Sequence, residues 1–86
     1  MPEICRFYGI VIGMFYDDHG VPHFHADYSG TEASIAIEPL RILEGELPRR
    51  AERFVLEWAT LHRDELLEDR RRARERKALL RIDPLD

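Results

Sequence analysis

Three of the four histidines of this 86-residue chain fall within seven residues, in the stretch Asp17-Asp18-His19-Gly20-Val21-Pro22-His23-Phe24-His25-Ala26-Asp27-Tyr28. Imidazole changes charge close to neutral pH, which suits it to proton transfer, and its neutral form is a ligand for zinc and other first-row divalent metals. From His23 onward the residue types alternate as in a β-strand, where successive side chains point to opposite faces. His23, His25 and Asp27 then share one face, and Phe24, Ala26 and Tyr28 the other. With the apolar set turned to the core, two imidazoles and a carboxylate stand in a row on the accessible side.

Three readings of that row are open. Histidines two apart on a strand can both reach one divalent transition metal such as zinc, with Asp27, His19 or Asp18 completing the site. The spacing matches no established zinc signature, and Cys5 has no cysteine partner. Alternatively, His23 and His25 could divide the proton transfers of RNA cleavage, one taking the 2′-hydroxyl proton and one protonating the leaving oxygen. Asp18 and His19 would then be binding residues, and Arg49 or Arg50 would meet the phosphate charge. The plainest reading gives Asp18 a turn-capping role, lets His19 bridge strands and leaves His23 and His25 as outward residues of an edge strand. Such positions more often hold Thr, Lys or Glu. His62 could join the cluster from a helix, or sit in the core with one satisfied hydrogen bond.

These side chains need elements to position them. Ile4 to Tyr16 is rich in β-branched and aromatic residues, and its apolar residues on both faces suggest a covered strand, with Gly9 and Gly13 as bulges or close approaches. Asp17-Asp18-His19-Gly20 has turn chemistry, and Pro22 fixes the start of the histidine strand. Ser29-Gly30-Thr31-Glu32 makes the next turn, and Ala33 to Glu38 reads as a strand with Ile35 and Ile37 on its buried face. Pro39 ends that strand, and Arg41-Ile42-Leu43-Glu44 could add a fourth before Gly45.

A helix is expected from about Pro48, a residue favoured at a helix start because its missing N–H would be unpaired there. Ala51, Phe54, Val55, Trp58, Ala59, Leu61, His62 and Leu66 recur at spacings of three and four and form one apolar stripe. Arg53–Glu57 and Glu68–Arg72 are candidate pairs on the polar side. The stripe stops past Leu67, so residues 70–77 read as a solvated extension. Leu79 to Asp83 could form a short final strand.

The expectation is therefore a single α+β domain over residues 1–86: an antiparallel β-meander of three to four strands over about 3–44, with one long helix over about 48–72 packed on one face and a short strand near 79–83. One helix leaves the other sheet face thinly covered, a natural surface for a second copy or a partner. A chain this short gains stability from such association, so a homo-oligomer is expected.

Composition narrows the classes. At 44% hydrophobic and 35% charged residues the chain should fold rather than remain disordered. A lone cysteine cannot form an internal disulfide, which fits a reducing cytoplasm. No apolar run approaches the roughly 20 residues that span a bilayer. Met1-Pro2-Glu3-Ile4 has no signal-peptide pattern. A soluble cytoplasmic protein without a membrane role is expected. The net charge of −4 weighs against dedicated nucleic-acid binding, although residues 70–77 hold six bases against one acid. That run would most simply be a solvated helix end, or a contact for phosphates or an acidic partner. No Gly-rich phosphate loop follows a strand, and neither Ser29 nor Ser34 lies in a nucleophile elbow.

Asp18-His19-x-x-Pro22-His23-x-His25 resembles the D-H-x-P-P-H-x-H signature of the small bacterial Domain-of-Unknown-Function 4160 family, with Val21 in place of the first proline. Pro2-x-Ile4-x-x-Phe7-x-Gly9-Ile10 is similar as well. So are Glu44-Gly45-Glu46-Leu47-Pro48-Arg49-Arg50, Val55-Leu56-Glu57-Trp58-Ala59 and His62-Arg63-Asp64-Glu65-Leu66-Leu67. The family's biochemistry is not established, so the resemblance assigns no catalytic role. Its motif positions are Asp18, His19, Pro22, His23 and His25. Members are often encoded beside another small domain, which implies a nearby-encoded protein partner in a toxin–antitoxin-like module. The alternative is a non-enzymatic dimeric module that binds protein or metal.

Overall fold

The computed structural model describes residues 1–86. Five strands, β1 (Glu3–Phe7), β2 (Ile10–Gly13), β3 (His23–Tyr28), β4 (Thr31–Ala36) and β5 (Arg41–Gly45), precede two helices, α1 (Arg49–Leu61) and α2 (Arg63–Arg74). The strands form one antiparallel meander in sequence order, so β3 is its centre. The α+β class stands, with one more strand and one more helix than the sequence suggests.

The extra strand comes from a turn hidden in the apolar run. Tyr8 and Gly9 have φ of 51° and 79°, a two-residue hairpin turn with both residues at positive φ, and the register Phe7↔Ile10 closes around it. A tyrosine in that conformation is uncommon, so residue preference gives no warning. Ser29 and Gly30 repeat the device between β3 and β4 at φ of 52° and 85°, and the Asp27 carboxylate accepts the Gly30 N–H at 3.0 Å. At the end of β5, Gly45 has a φ of 74°, and a Cβ there would lie 2.2 Å from the Glu32 carbonyl oxygen. Only glycine fits.

Alternation separates the two sets of side chains as expected, but the histidine face is not open: His23 is buried, at 8% exposure. Phe24 and Ala26 are fully buried, paired with Ile35, Ala33 and Ile12 of the neighbouring strands. Trp58 of α1 packs on this side, its ring centroid 5.9 Å from Phe24 and 5.7 Å from Phe7. With Val55, Ala59 and Leu66 it closes the core. Phe54 of the apolar stripe is only half-buried, and Leu61 is exposed.

The single long helix is broken at His62, which has φ −121° and ψ 27°. No proline or glycine marks the break. Thr60 Oγ1 donates to the Leu56 carbonyl at 2.8 Å, a back-bond that bends helices, and the His62 N–H is shared between the carbonyls of Trp58 and Ala59. Asp64 and Glu65 then sit in the first turn of α2, with Arg71, Arg72 and Arg74 in its last. That distribution complements the helix dipole of a separate helix. Lys77 N–H to Arg72 and Arg76 N–H to Ala73 end α2 in a Schellman arrangement, with Arg76 at φ 58°. Of the two expected i,i+4 pairs, Glu68–Arg72 forms at 3.1 Å, while Arg53 lies over the Phe54 ring.

No strand forms near residues 79–83. The segment is instead a strap tied by single hydrogen bonds: Leu80 N–H to Asp69 Oδ1, Ile82 N–H to the Ile4 carbonyl, and the Trp58 indole N–H to the Asp83 carbonyl. Its partners lie on three different elements, so no ladder can propagate.

Candidate metal centre

His23 and His25 project from the central strand on the face away from α1. Across that face His25 stands opposite Gly13 of β2 and Ser34 of β4. Gly13 adds no side chain, and Met1 and the Pro2 carbonyl fill the place a Cβ would take, 2.4 and 2.6 Å from it. The connection 14–22 brings Asp18 back to the two histidines: Asp18 Oδ2 lies 2.7 Å from His25 Nε2 and 3.2 Å from His23 Nε2. The imidazole centroids are 5.1 Å apart, and the Phe15 ring meets His25 edge-on at 4.8 Å. One ligand atom from each of Asp18, His23 and His25 falls within 4.8 Å of the others.

The hydrogen-bond partners assign the protons. His23 Nδ1 is 2.7 Å from the Val21 carbonyl oxygen, which can only accept, so Nδ1 carries a proton. In neutral His23 the bare Nε2 lone pair then faces the Asp18 carboxylate. For His25, Nε2–H donates to Asp18, and Nδ1 takes the Ser34 hydroxyl proton at 3.3 Å. Ser34 can also accept, so His25 can reverse its tautomer and free the Nε2 lone pair. In that reversed tautomer three electron-rich atoms converge, with no fixed donor between His23 and Asp18. A cation held between them resolves that repulsion.

The donor set fits a divalent first-row metal. Zinc is held by imidazole nitrogen and carboxylate oxygen at about 2.0–2.2 Å, and ligating histidines usually direct their other N–H to a carbonyl or hydroxyl. His23 has Val21 for that purpose and His25 has Ser34. Three protein ligands leave a fourth position for water or another ligand.

Arg70 of α2 and Arg76, just past its end, hold the loop that carries Asp18. Arg70 Nη2 donates to the Gly20 carbonyl at 3.1 Å, and Arg76 pairs with Asp17 at 2.6 Å. Arg70 is buried without a carboxylate partner; burial lowers its pKa, as does Arg74, while the Asp18 charge raises it. Residues 70–77 are therefore not uniformly solvated. Asp69 and Arg70 continue the buried stripe of α2 at three and four residues beyond Leu66, with Ala73 following. That periodicity was the available signal, masked by charge.

Other sequence-selected residues lie elsewhere. Asp27 points to the same face but is engaged in the β3–β4 turn through Gly30. His19 is exposed on the loop. His62 Nδ1 lies 2.5 Å from Glu65 Oε1, and its ring lies 5.5 Å from Trp58, which places it on the helix side of the sheet. Arg50 lines a groove with Tyr28, at the end of β3 opposite His23, and Arg49 adjoins it. Five residue steps along the strand make that separation roughly 16 Å. The structure thus gathers Asp18, His23 and His25, and leaves Asp27, His19, His62, Arg49 and Arg50 outside the triad. Ser34, Val21 and Arg70 were not selected from the sequence.

No curated protein and no solved structure gives a significant match to the chain. A family model described as a domain of unknown function, DUF4160, matches residues 9–69, from the first hairpin to the buried stripe of α2, and so spans β3 and the Asp18 loop. The chain belongs to the DUF4160 family.

Proposed function

We propose that the chain is a metal-binding module whose centre is Asp18, His23 and His25, holding a divalent transition metal such as zinc with one position open. The observation that carries this reading is the convergence of both Nε2 atoms on one carboxylate oxygen, at 3.2 and 2.7 Å, with His23 Nδ1 already committed to a carbonyl. Ligands of one tetrahedral zinc ion stand roughly 3.3 Å apart; the His23–Asp18 spacing of 3.2 Å suits it, and the three ligand atoms, within 4.8 Å of one another, would close on the ion. A histidine pair dividing proton transfers would instead need its two nitrogens on opposite sides of a substrate, one as base and one as acid. Here both face the same oxygen.

We further propose that the module works with a protein partner in a toxin–antitoxin-like pair. Phe15 and Val21, 39% and 50% exposed, adjoin the histidines, and apolar side chains beside a polar centre suit a docking surface. The test is the elemental content of the natively purified protein and of His23→Ala/His25→Ala. Near-stoichiometric metal that disappears in the folded double variant is the expected result. Metal-free native protein that also fails to take up zinc, cobalt or manganese contradicts the assignment.

A further inference from the structure

A second feature lies at the opposite end of β3, where a groove of about 470 Å³ is lined by Tyr8, Ile10, Tyr28, Pro48, Arg50, Ala51 and Phe54. Three of the lining residues are aromatic and one is cationic. Tyr8 and Phe54 meet at 5.0 Å between centroids, and the Arg50 guanidinium carbon lies 5.5 Å from the Phe54 centroid. The Tyr28 ring packs beside the turn at Gly9, where a Cβ would stand in ordinary contact with it at 3.4 Å. Tyr8 is 51% exposed although its φ is positive, where Asn or Gly would be less strained. Its hydroxyl donates to the Asp86 carbonyl, so the C-terminal residue holds the ring half in solvent at the rim of the groove.

Arg50 is the one charged residue that lines the groove, and Asp86 stands at its rim against the Tyr8 hydroxyl. Arg49, Arg50 and Arg53 lie in the first turns of α1, against Glu46 and Glu52 nearby. Pro48 caps α1 without any side-chain hydrogen bond, and the first helical backbone bond is donated by Glu52. The Arg49, Arg50 and Ala51 N–H groups therefore remain free at the positive end of the helix dipole. Flat apolar rings beside a guanidinium and free helix-end amides match one ligand chemistry: a planar aromatic base carrying a phosphate.

We infer that this groove binds a nucleotide, with the base against Tyr8, Tyr28 and Phe54 and the phosphate at Arg50 and the first turn of α1. The nucleotide can be a free monophosphate or a residue of a single strand. Both place a base and a phosphate in the groove. The inference does not rest on the metal centre, which lies at the other end of the sheet.

The test is fluorescence anisotropy of a labelled single-stranded oligouridylate and a labelled oligoadenylate, with adenosine monophosphate and inorganic phosphate as competitors. Arg50→Met should weaken binding about tenfold and flatten its salt dependence. Tyr28→Leu should weaken it about tenfold without changing the salt slope. Both variants should keep the native circular dichroism and the metal content of the parent, which separates failure here from failure at the centre. Displacement by the monophosphate identifies a free nucleotide as sufficient; oligonucleotide binding that the monophosphate cannot displace identifies a strand. Either supports the groove. No binding of any of these probes, equal displacement by phosphate alone, or binding indifferent to Arg50→Met and Tyr28→Leu overturns it. Should Tyr28→Leu fail to fold, Phe54→Leu, whose ring is only half-buried, carries the same expectation.

Discussion

The two ends of β3 present opposite kinds of surface from one strand. At the His23 end, short side chains aim single atoms at a common point, and each is fixed by a partner: Val21 for His23 Nδ1, Ser34 for His25 Nδ1, and the α2-tethered loop for Asp18. At the Tyr28 end, Tyr8, Tyr28 and Phe54 present ring faces rather than atoms, and Arg50 lies over a ring rather than in an ion pair. Convergent lone pairs need tight geometry and select a small cation. Broad rings tolerate displacement and select a flat ligand by area. The lesson is that burial alone does not mark a site on this sheet; what differs is whether polar atoms converge.

Variants should separate the ends by size of effect. The largest loss is expected when both imidazoles are removed: His23→Ala/His25→Ala should abolish metal uptake in equilibrium dialysis while leaving the groove intact. Asp18→Ala removes the third ligand from the loop and should weaken uptake by about 100-fold or more, measured by competition with a chromophoric chelator. A smaller effect, about tenfold in the same assay, is expected for Ser34→Ala, which keeps every ligand and removes only the group that orients His25. Equal losses in Asp18→Ala and Ser34→Ala would mean that the pocket, rather than the ligand set, controls binding. Arg50→Met should leave metal uptake unchanged.

The smallest effect lies outside both ends, at the buried Asp69 carboxyl, which accepts the Leu80 N–H and so holds the strap. Burial raises the Asp69 carboxyl pKa above 3.8, and Oδ2 has no partner. The folded chain therefore retains a proton that the unfolded chain releases, and this group's contribution to stability falls as pH climbs from 3.8 through the folded value. Asp69→Asn keeps the oxygen that accepts the Leu80 N–H and removes that slope. In urea titrations it should gain stability relative to the parent between pH 4 and 7, with metal uptake unaltered. Glu3 acts in the opposite sense: hydrogen bonds from Arg6 and Arg81 hold it at about 2, so its contribution is complete above 4.5 and lost as pH falls towards 2. Comparing the variant with the parent cancels the Glu3 contribution.

Much of this architecture was legible because period and residue type agree. Alternation in His23–Tyr28 separated Phe24 and Ala26 from His23 and His25, and the three-to-four spacing of Ala51, Val55, Trp58 and Ala59 identified the packed face of α1. The misses occurred where a local rule was broken by tertiary structure. Tyr8 occupies a turn position that favours Asn or Gly, so the first hairpin read as one strand. Helix α1 ends without a glycine, and Asp69 and Arg70 are buried despite their charge. Alternation assigned Asp27 to the same row as the histidines, but only the path of loop 14–22 decides that Asp18 meets them. Strand periodicity cannot encode where a loop returns.

Cobalt(II) titration tests the centre most directly, because visible d–d absorption reports both occupancy and coordination geometry. The account predicts bands distinct from the aqua ion that saturate at one equivalent per chain, weaken with Asp18→Ala and vanish in His23→Ala/His25→Ala. A spectrum that stays that of the aqua ion, or saturable bands that persist when both histidines are gone, would contradict it.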